Sequence, residues 1–197
     1  KKSAIGVGAS AGAALAVGLT KGLGRLNGIE QAEAKLTGLG HSAKSVGSIM
    51  DNALAAVKGT SFGLEAAATV AASAVAAGIQ PGQDLERTLR LVGDAATIAG
   101  TDMSSMGAIF NKVAASNKMQ MDVVNQLHDQ GVPILQLVAQ EMGVTAEEAQ
   151  RMASAGEVSF ETFQAAMESG LGGAALGAGN TVQGAFANMG AAAGRLG

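Results

Sequence analysis

His128 and Asp129 stand side by side, a pairing in which a carboxylate can orient an imidazole as a general base. No motif places a nucleophile beside them, so such a base has nothing to act through, and a solvated helix face accounts for the pair. His41 is the other histidine. Two histidines without an H-E-x-x-H context fall short of a zinc ligand set, and the chain has no cysteine to complete one. Glu141, Glu147 and Glu148 invite comparison with glycoside hydrolases, whose chemistry needs two carboxylates in different environments across a sugar-sized cleft. Here Glu148 is accounted for by a capping box with Thr145, and Glu147 by the favourable field of a helix N-terminus. Gly38-Leu39-Gly40-His41-Ser42-Ala43 and Gly170-Leu171-Gly172-Gly173-Ala174-Ala175 both satisfy a loose G-x-G-x-x-A. Neither follows a hydrophobic strand, so neither has a phosphate-binding context. No catalytic, cofactor-binding or metal-binding residue is assigned, and the chain is expected not to be an enzyme.

The elements around these residues are written in helix punctuation. Pro133 suits a first helical turn, which predicts a helix over Pro133–Met142 with Gly143 as its stop. The capping box Thr145/Glu148 opens the next helix, which should stop near Gly156. Ser159 can cap a third, whose Phe160, Phe163 and Met167 share a face. Upstream, Leu85, Leu89, Val92 and Ala96 form a stripe after Pro81-Gly82, with Asp84 as N-cap. Met103, Met106, Phe110 and Val113 make another, preceded by Gly100 and introduced by Thr101 or Asp102. Val124 and Leu127 belong to a helix ending at Gly131. Val46, Ile49, Met50, Ala53 and Val57 form a stripe closed by Gly59, and Ala66–Ala77 is helical on alanine's propensity. No run of alternating β-branched residues occurs. The predicted fold is all-α, with multiple short to medium helices joined by Gly/Pro turns.

Composition bounds what such helices can do. Of 197 residues, 48% are hydrophobic but only 3% aromatic, and 29 are glycine, so the apolar content is mostly small side chains. Each buries little area at ~25 cal/mol per Å², and glycine loses the most backbone entropy on ordering. The expectation is a chain marginal alone and better stabilised by neighbours or copies of itself. A net charge of -3 leaves no basic footprint for nucleic acid, and few aromatics are present to stack bases, so no specific nucleic-acid binding is expected. The methionines sit mainly on apolar stripes (Met103, Met106, Met142, Met152, Met167), where core filling is commoner than an adaptable binding groove.

Three zones differ in character: a Gly/Ala-rich apolar segment over 1–24, a helical domain over 25–168, and a Gly/Ala-rich C-terminal segment over 169–197. Lys1 opens the chain without Met and Gly197 ends it in mid-pattern, as expected of a portion of a much longer protein. Gly8 and Gly12, Gly18 and Gly22, and Gly173 and Gly177 each stand in a G-x-x-x-G spacing. On a helix that spacing lets two backbones approach closely, which marks these six as candidates for helix packing or self-association. A flexible linker is the competing reading of the same glycines. A spanning helix wants ~20 predominantly apolar residues. Ser3–Thr20 approaches that length but is rich in Gly, Ala and Ser, so protein–protein packing ranks above a membrane anchor. A secretory signal peptide after Lys1-Lys2 ranks below both.

The order of the motifs resembles the N-terminal region of tail tape measure proteins from long-tailed phages and prophages, especially those of actinobacterial hosts. The matching pieces are Gly131-Val132-Pro133-Ile134, Met142-Gly143-Val144, Met152-Ala153-Ser154-Ala155-Gly156-Glu157, and Ser159-Phe160 with Phe163. Upstream are Ala76-Ala77-Gly78-Ile79 before Pro81, Thr88-Leu89-Arg90, Gly93-Asp94-Ala95, Ala108-Ile109-Phe110-Asn111-Lys112-Val113 and Gln126-Leu127. The resemblance covers roughly Asn52 to Leu196. It departs at Gln120-Met121-Asp122, where many relatives are more basic or carry Gly.

The resemblance implies a structural virion component whose full protein lies in the tail tube lumen in a few copies. Its length would set the number of tube rings, and it would leave during DNA ejection. Implied partners are copies of itself as a homo-oligomer, the tail tube protein, distal tail and tip proteins, tail assembly chaperones, and transiently the host membrane. The implied locations are the tail tube interior of the virion and the host cytoplasm during assembly. No cofactor is implied. Some tape measure proteins carry peptidoglycan-cleaving domains, and no residues here match such a site. The alternative is a membrane-active protein inserting its Gly/Ala-rich segments into the host membrane for genome delivery.

Overall fold

Short polar side chains open several helices and glycine closes several, in a computed structural model that describes residues 26–181. The helices are α1 (26–38), α2 (Ala43–Val57), α3 (Leu64–Ala76), α4 (Gln83–Ala99), α5 (Met103–Ser116), α6 (Met121–Asp129), α7 (Ile134–Met142), α8 (Ala146–Ala155), α9 (Phe160–Leu171) and α10 (Ala174–Gly179). The described residues contain no strand, and the fold is all-α as expected. Ser42, Asp102, Thr145 and Ser159 each accept the N–H three residues on, which satisfies a donor the helix itself cannot. Gly143 and Gly156 end α7 and α8 at φ 67° and 70°, a left-handed conformation that costs glycine no Cβ clash.

Some boundaries differ from those the sequence predicts. α4 starts one residue before Asp84, at Gln83, with Gly82 as its cap; the Gly82 N–H is donated across to Asn52 Oδ1 at 3.0 Å. Asp84 therefore lies inside the first turn, where its charge suits the helix dipole but its side chain caps nothing. Pro133 is the cap of α7 rather than its first residue, with ψ at 58°, outside the helical range. The capping box is half made. Thr145 Oγ1 accepts the Glu148 N–H at 3.2 Å, while Glu148 reaches forward to Arg151 at 2.6 Å. α6 stops at Asp129, and Gly131 serves just beyond it, its N–H bonded to the His128 carbonyl at 2.9 Å.

α4 is the common partner: α2, α3, α5, α9 and α10 all pack on it. α9 also packs on α7, and α7 on α6 and α8, so α9 joins the two parts of one continuous core. The Phe110 ring of α5 meets the Phe163 ring of α9 edge to face, centroids 4.9 Å apart at 67°, both fully buried. The stripes Leu85, Leu89, Val92 and Ala96, and Met103, Met106, Phe110 and Val113, are buried throughout. Phe163 and Met167 are buried too, while Phe160 and Met50 are half-buried. α3 buries Ala67, Ala68, Ala71, Ala72 and Ala74, small side chains that let its neighbours close in. At Gly107 of α5 the approach to α3 is close enough that an added Cβ would stand 2.6 Å from Val70 Cγ1.

Polar groups tie distant segments together. The Gln164 amide donates to Thr88 Oγ1 at 2.7 Å, and that hydroxyl donates to the Asp84 carbonyl at 2.8 Å. Asn117 ends α5 in the left-handed region at φ 50°, a conformation asparagine tolerates, and its Oδ1 accepts the Phe160 N–H at 3.0 Å. The Met119 N–H donates to the Val158 carbonyl at 2.8 Å. Lys112 pairs with Asp122 between α5 and α6, and this hydrogen bond holds the Asp122 carboxyl below its ordinary range. The Ser105 hydroxyl and N–H do the same for Asp102.

Three predictions follow from this packing. Gly107→Ala should destabilise the fold despite alanine's better helix propensity, because overpacking costs roughly 1–3 kcal/mol and the propensity gain is at most ~1. Gly47→Ala, in open space on α2, should instead raise stability by up to ~1 kcal/mol; urea unfolding of both variants checks the contrast. Thr88→Val leaves the buried Gln164 amide unpaired and should cost about 1–3 kcal/mol, most of it recovered by adding Gln164→Met; a double-mutant cycle reads this coupling. Asp102 has a lowered pKa in the folded state, so its contribution is present above the ordinary carboxylate pKa and is lost as pH falls through the folded value. Asp102→Ala should therefore cost about 0.5–2 kcal/mol at neutral pH and less below about pH 4, as urea melts at pH 7 and pH 3 would measure.

Candidate functional site

None of the residues with catalytic potential is brought into a reactive arrangement. His128 and Asp129 are both exposed at the end of α6. His41 is half-buried just ahead of α2, its Nδ1 3.1 Å from Ser45 Oγ. Among the described residues no group of three or more His, Asp or Glu side chains is placed to hold a metal ion. Glu141 accepts a hydrogen bond from the Ser169 hydroxyl at 2.9 Å, Glu148 pairs with Arg151, and Glu147 is exposed in the first turn of α8. The methionines fill space: Met103, Met106 and Met167 are fully buried, and Met142 and Met152 pack half-buried against the core.

A cleft of 560 Å³ lies where α2, α4, α9 and α10 meet. Its mouth carries Arg87 and Arg90 of α4, each already matched to a carboxylate. Arg87 gives Nε and Nη2 to Glu168 of α9, at 2.9 and 2.6 Å. Arg90 gives Nε and Nη2 to Glu86, at 3.1 and 2.6 Å. The four side chains are 31 to 52% exposed, so solvent screens the pairs and each contributes little to stability. Ala56, Leu91 and the start of α10 complete the lining. The lining contains no His, Cys, Ser or Lys, and its one hydroxyl, on Thr60, donates to the Val57 carbonyl at 2.9 Å.

The wall of that cleft holds a side chain that sequence reasoning quoted but gave no role, Asp94. It is 6% exposed and is the charged side chain buried among the described residues. Its Oδ2 accepts the Gly173 N–H at 2.9 Å and its Oδ1 the Ala175 N–H at 2.8 Å. The glycine-rich run Gly170–Ala175 thus does present backbone donors to an anion, and the anion is the chain's own carboxylate. The available signal was an acidic residue one position from the glycine in the α4 stripe. Arg90, four residues earlier, offered an alternative partner but pairs with Glu86.

Gly173 and Gly177 are placed differently from one another. Gly173 precedes α10 at φ 85°, whereas Gly177 lies within it, and a Cβ on either would meet nothing within 4 Å. Gly8, Gly12, Gly18 and Gly22 lie outside the described residues. A boundary at 168 falls within α9, and helical packing continues through Leu171 and Ala175, both buried. No described helix is long and apolar enough to cross a membrane.

No curated protein and no solved structure gives a significant match. A family model described as tape measure protein matches residues 20–196, which takes in every helix above. That match spans most of the chain, and the chain belongs to the tape measure protein family, a structural and non-enzymatic component of the phage tail.

Proposed function

We propose that this chain is the part of a tape measure that lies in the lumen of the tail tube, helps set tail length during assembly and leaves with the DNA at ejection. The observation that carries this reading is the family match over 20–196, which embraces the whole helical bundle. Its physical chemistry is compatible with such a place. A net charge of -3 gives passing DNA no basic surface to grip. The helices are short, the longest labelled one being the 17 residues of α4, and they are joined by glycine-rich turns that can straighten. Small side chains on α3 and at Gly107 permit narrow, close packing.

The reading extends to partners and location. Copies of the chain lie together as a homo-oligomer, with Gly8, Gly12, Gly18, Gly22, Gly173 and Gly177 as candidate contacts where backbones meet. The tail tube protein surrounds them, tail assembly chaperones hold the chain in the host cytoplasm beforehand, and distal tail and tip proteins meet its end. Contact with the host membrane is transient and comes at ejection.

Tandem duplication of residues 26–181 in the parent reading frame tests the length-setting role while keeping one original copy. Electron micrographs should show every tail longer by a fixed increment. The increment should lie between ~40 Å, if the added copy stays folded with a radius of gyration near 15 Å, and ~230 Å, if it is drawn into one helix at 1.5 Å per residue. Normal tails of unchanged length would refute the role for this segment.

A further inference from the structure

α10 is held to the bundle in an unusual manner for a helix of its size. Its six residues include one large side chain, Leu176, which remains 42% exposed. The apolar area it buries is small, and a helix this short does not sustain itself in water. Its seat is made of glycines. A Cβ on Gly93 of α4 would stand 3.8 Å from Ala175 Cβ, and one on Gly59 would stand 3.3 Å from Leu176 Cδ2. A directed hold comes from the Asp94 carboxylate, whose two oxygens accept the Gly173 and Ala175 N–H groups. Gly172 and Gly173 separate α10 from α9, with ψ 131° at the first and φ 85° at the second.

We infer that α10 is a detachable strap, closed over the cleft by the Asp94 carboxylate and able to swing away about Gly172–Gly173 while α2 to α9 stay folded. Closing removes a charge from water, which is tolerable because two charge-assisted hydrogen bonds replace hydration. Opening returns that hydration, so the two states are nearer in energy than the loss of an apolar helix from a core would allow. The Arg87–Glu168 pair joins α4 to α9 and does not involve the strap, so it can persist when α10 leaves. An open strap strips one wall from the cleft, baring Ala56, Leu91 and the carboxylate itself. The inference is independent of where in the tail the chain resides.

Amide hydrogen exchange of the full chain, read by mass spectrometry under native conditions, tests the strap. Peptides covering 173–179 should exchange at least roughly tenfold faster than those covering α5, through an opening that leaves α5 protected. Asp94→Asn keeps the volume but offers a single accepting oxygen and turns an NH2 donor toward the backbone donors. It should accelerate exchange over 173–179 by a further ten- to hundredfold, roughly the worth of the lost hydrogen bonds, with α5 unchanged. Exchange over 173–179 that occurs only together with α5 in the unsubstituted chain would overturn the inference. So would Asp94→Asn leaving 173–179 as protected as before, or unfolding the whole bundle, since either means the strap is not separable.

Discussion

Burial of α4 on several sides is the constraint from which the rest of the arrangement follows. With α2, α3, α5, α9 and α10 against it, little of its inward surface can be left to water. Any polar group there must find its partner inside the protein or cost about 1–3 kcal/mol, more if charged. Thr88 and Asp94 are the two buried polar side chains of α4, and each is answered by a segment far along the chain. Gln164 of α9 comes to Thr88, and the start of α10 comes to Asp94. Two otherwise interchangeable helical surfaces acquire a defined register in this way, since sliding α9 by one turn would take the buried Gln164 amide away from its Thr88 partner.

Helix existence and facing were legible from residue type and spacing because both are local. Thr145-to-Glu148 and Ser159-to-Thr162 caps need three residues of context, and a 3.6-residue period needs a dozen. Gly143 and Gly156 announce their stops for the same reason. The errors are of one or two residues, at Asp84, Pro133 and Gly131, and at the first of these a contact from far along the chain bears on the boundary. Asn52 takes the Gly82 N–H, and nothing near position 84 signals that. Asp94 was illegible for the same cause on a larger scale: its partners lie about eighty positions away, and a lone acidic residue in a helix reads as solvent-facing. The glycine run at 170–175 was read correctly as lacking a phosphate context, yet its donors still serve an anion.

The low aromatic content takes on a particular meaning in the structure. Phe110 and Phe163 are spent together at one point, where α5 and α9 meet, so the largest side chains mark the junction between the two parts of the core. Elsewhere alanine and glycine bring backbones close, as along α3 and at Gly107. Small residues reduce the area each side chain buries but shorten the distance between helices, and the second effect restores contact density that the first would lose.

The long reach of α9 and α10 back to α4 also dictates a timetable. The bond between Gln164 and Thr88 spans 76 residues and that between Ala175 and Asp94 spans 81. On a ribosome extending the chain at roughly 5–20 residues per second, α4 emerges about 4 to 16 seconds before the segments that answer its buried polar groups. Through that interval the α2–α5 surface is finished as helices yet unfinished as an interior, with Phe110 still lacking Phe163. The nascent chain therefore closes from its late end, and a product released before α9 would carry the local signals of α1 to α8 while lacking the pieces that complete its core.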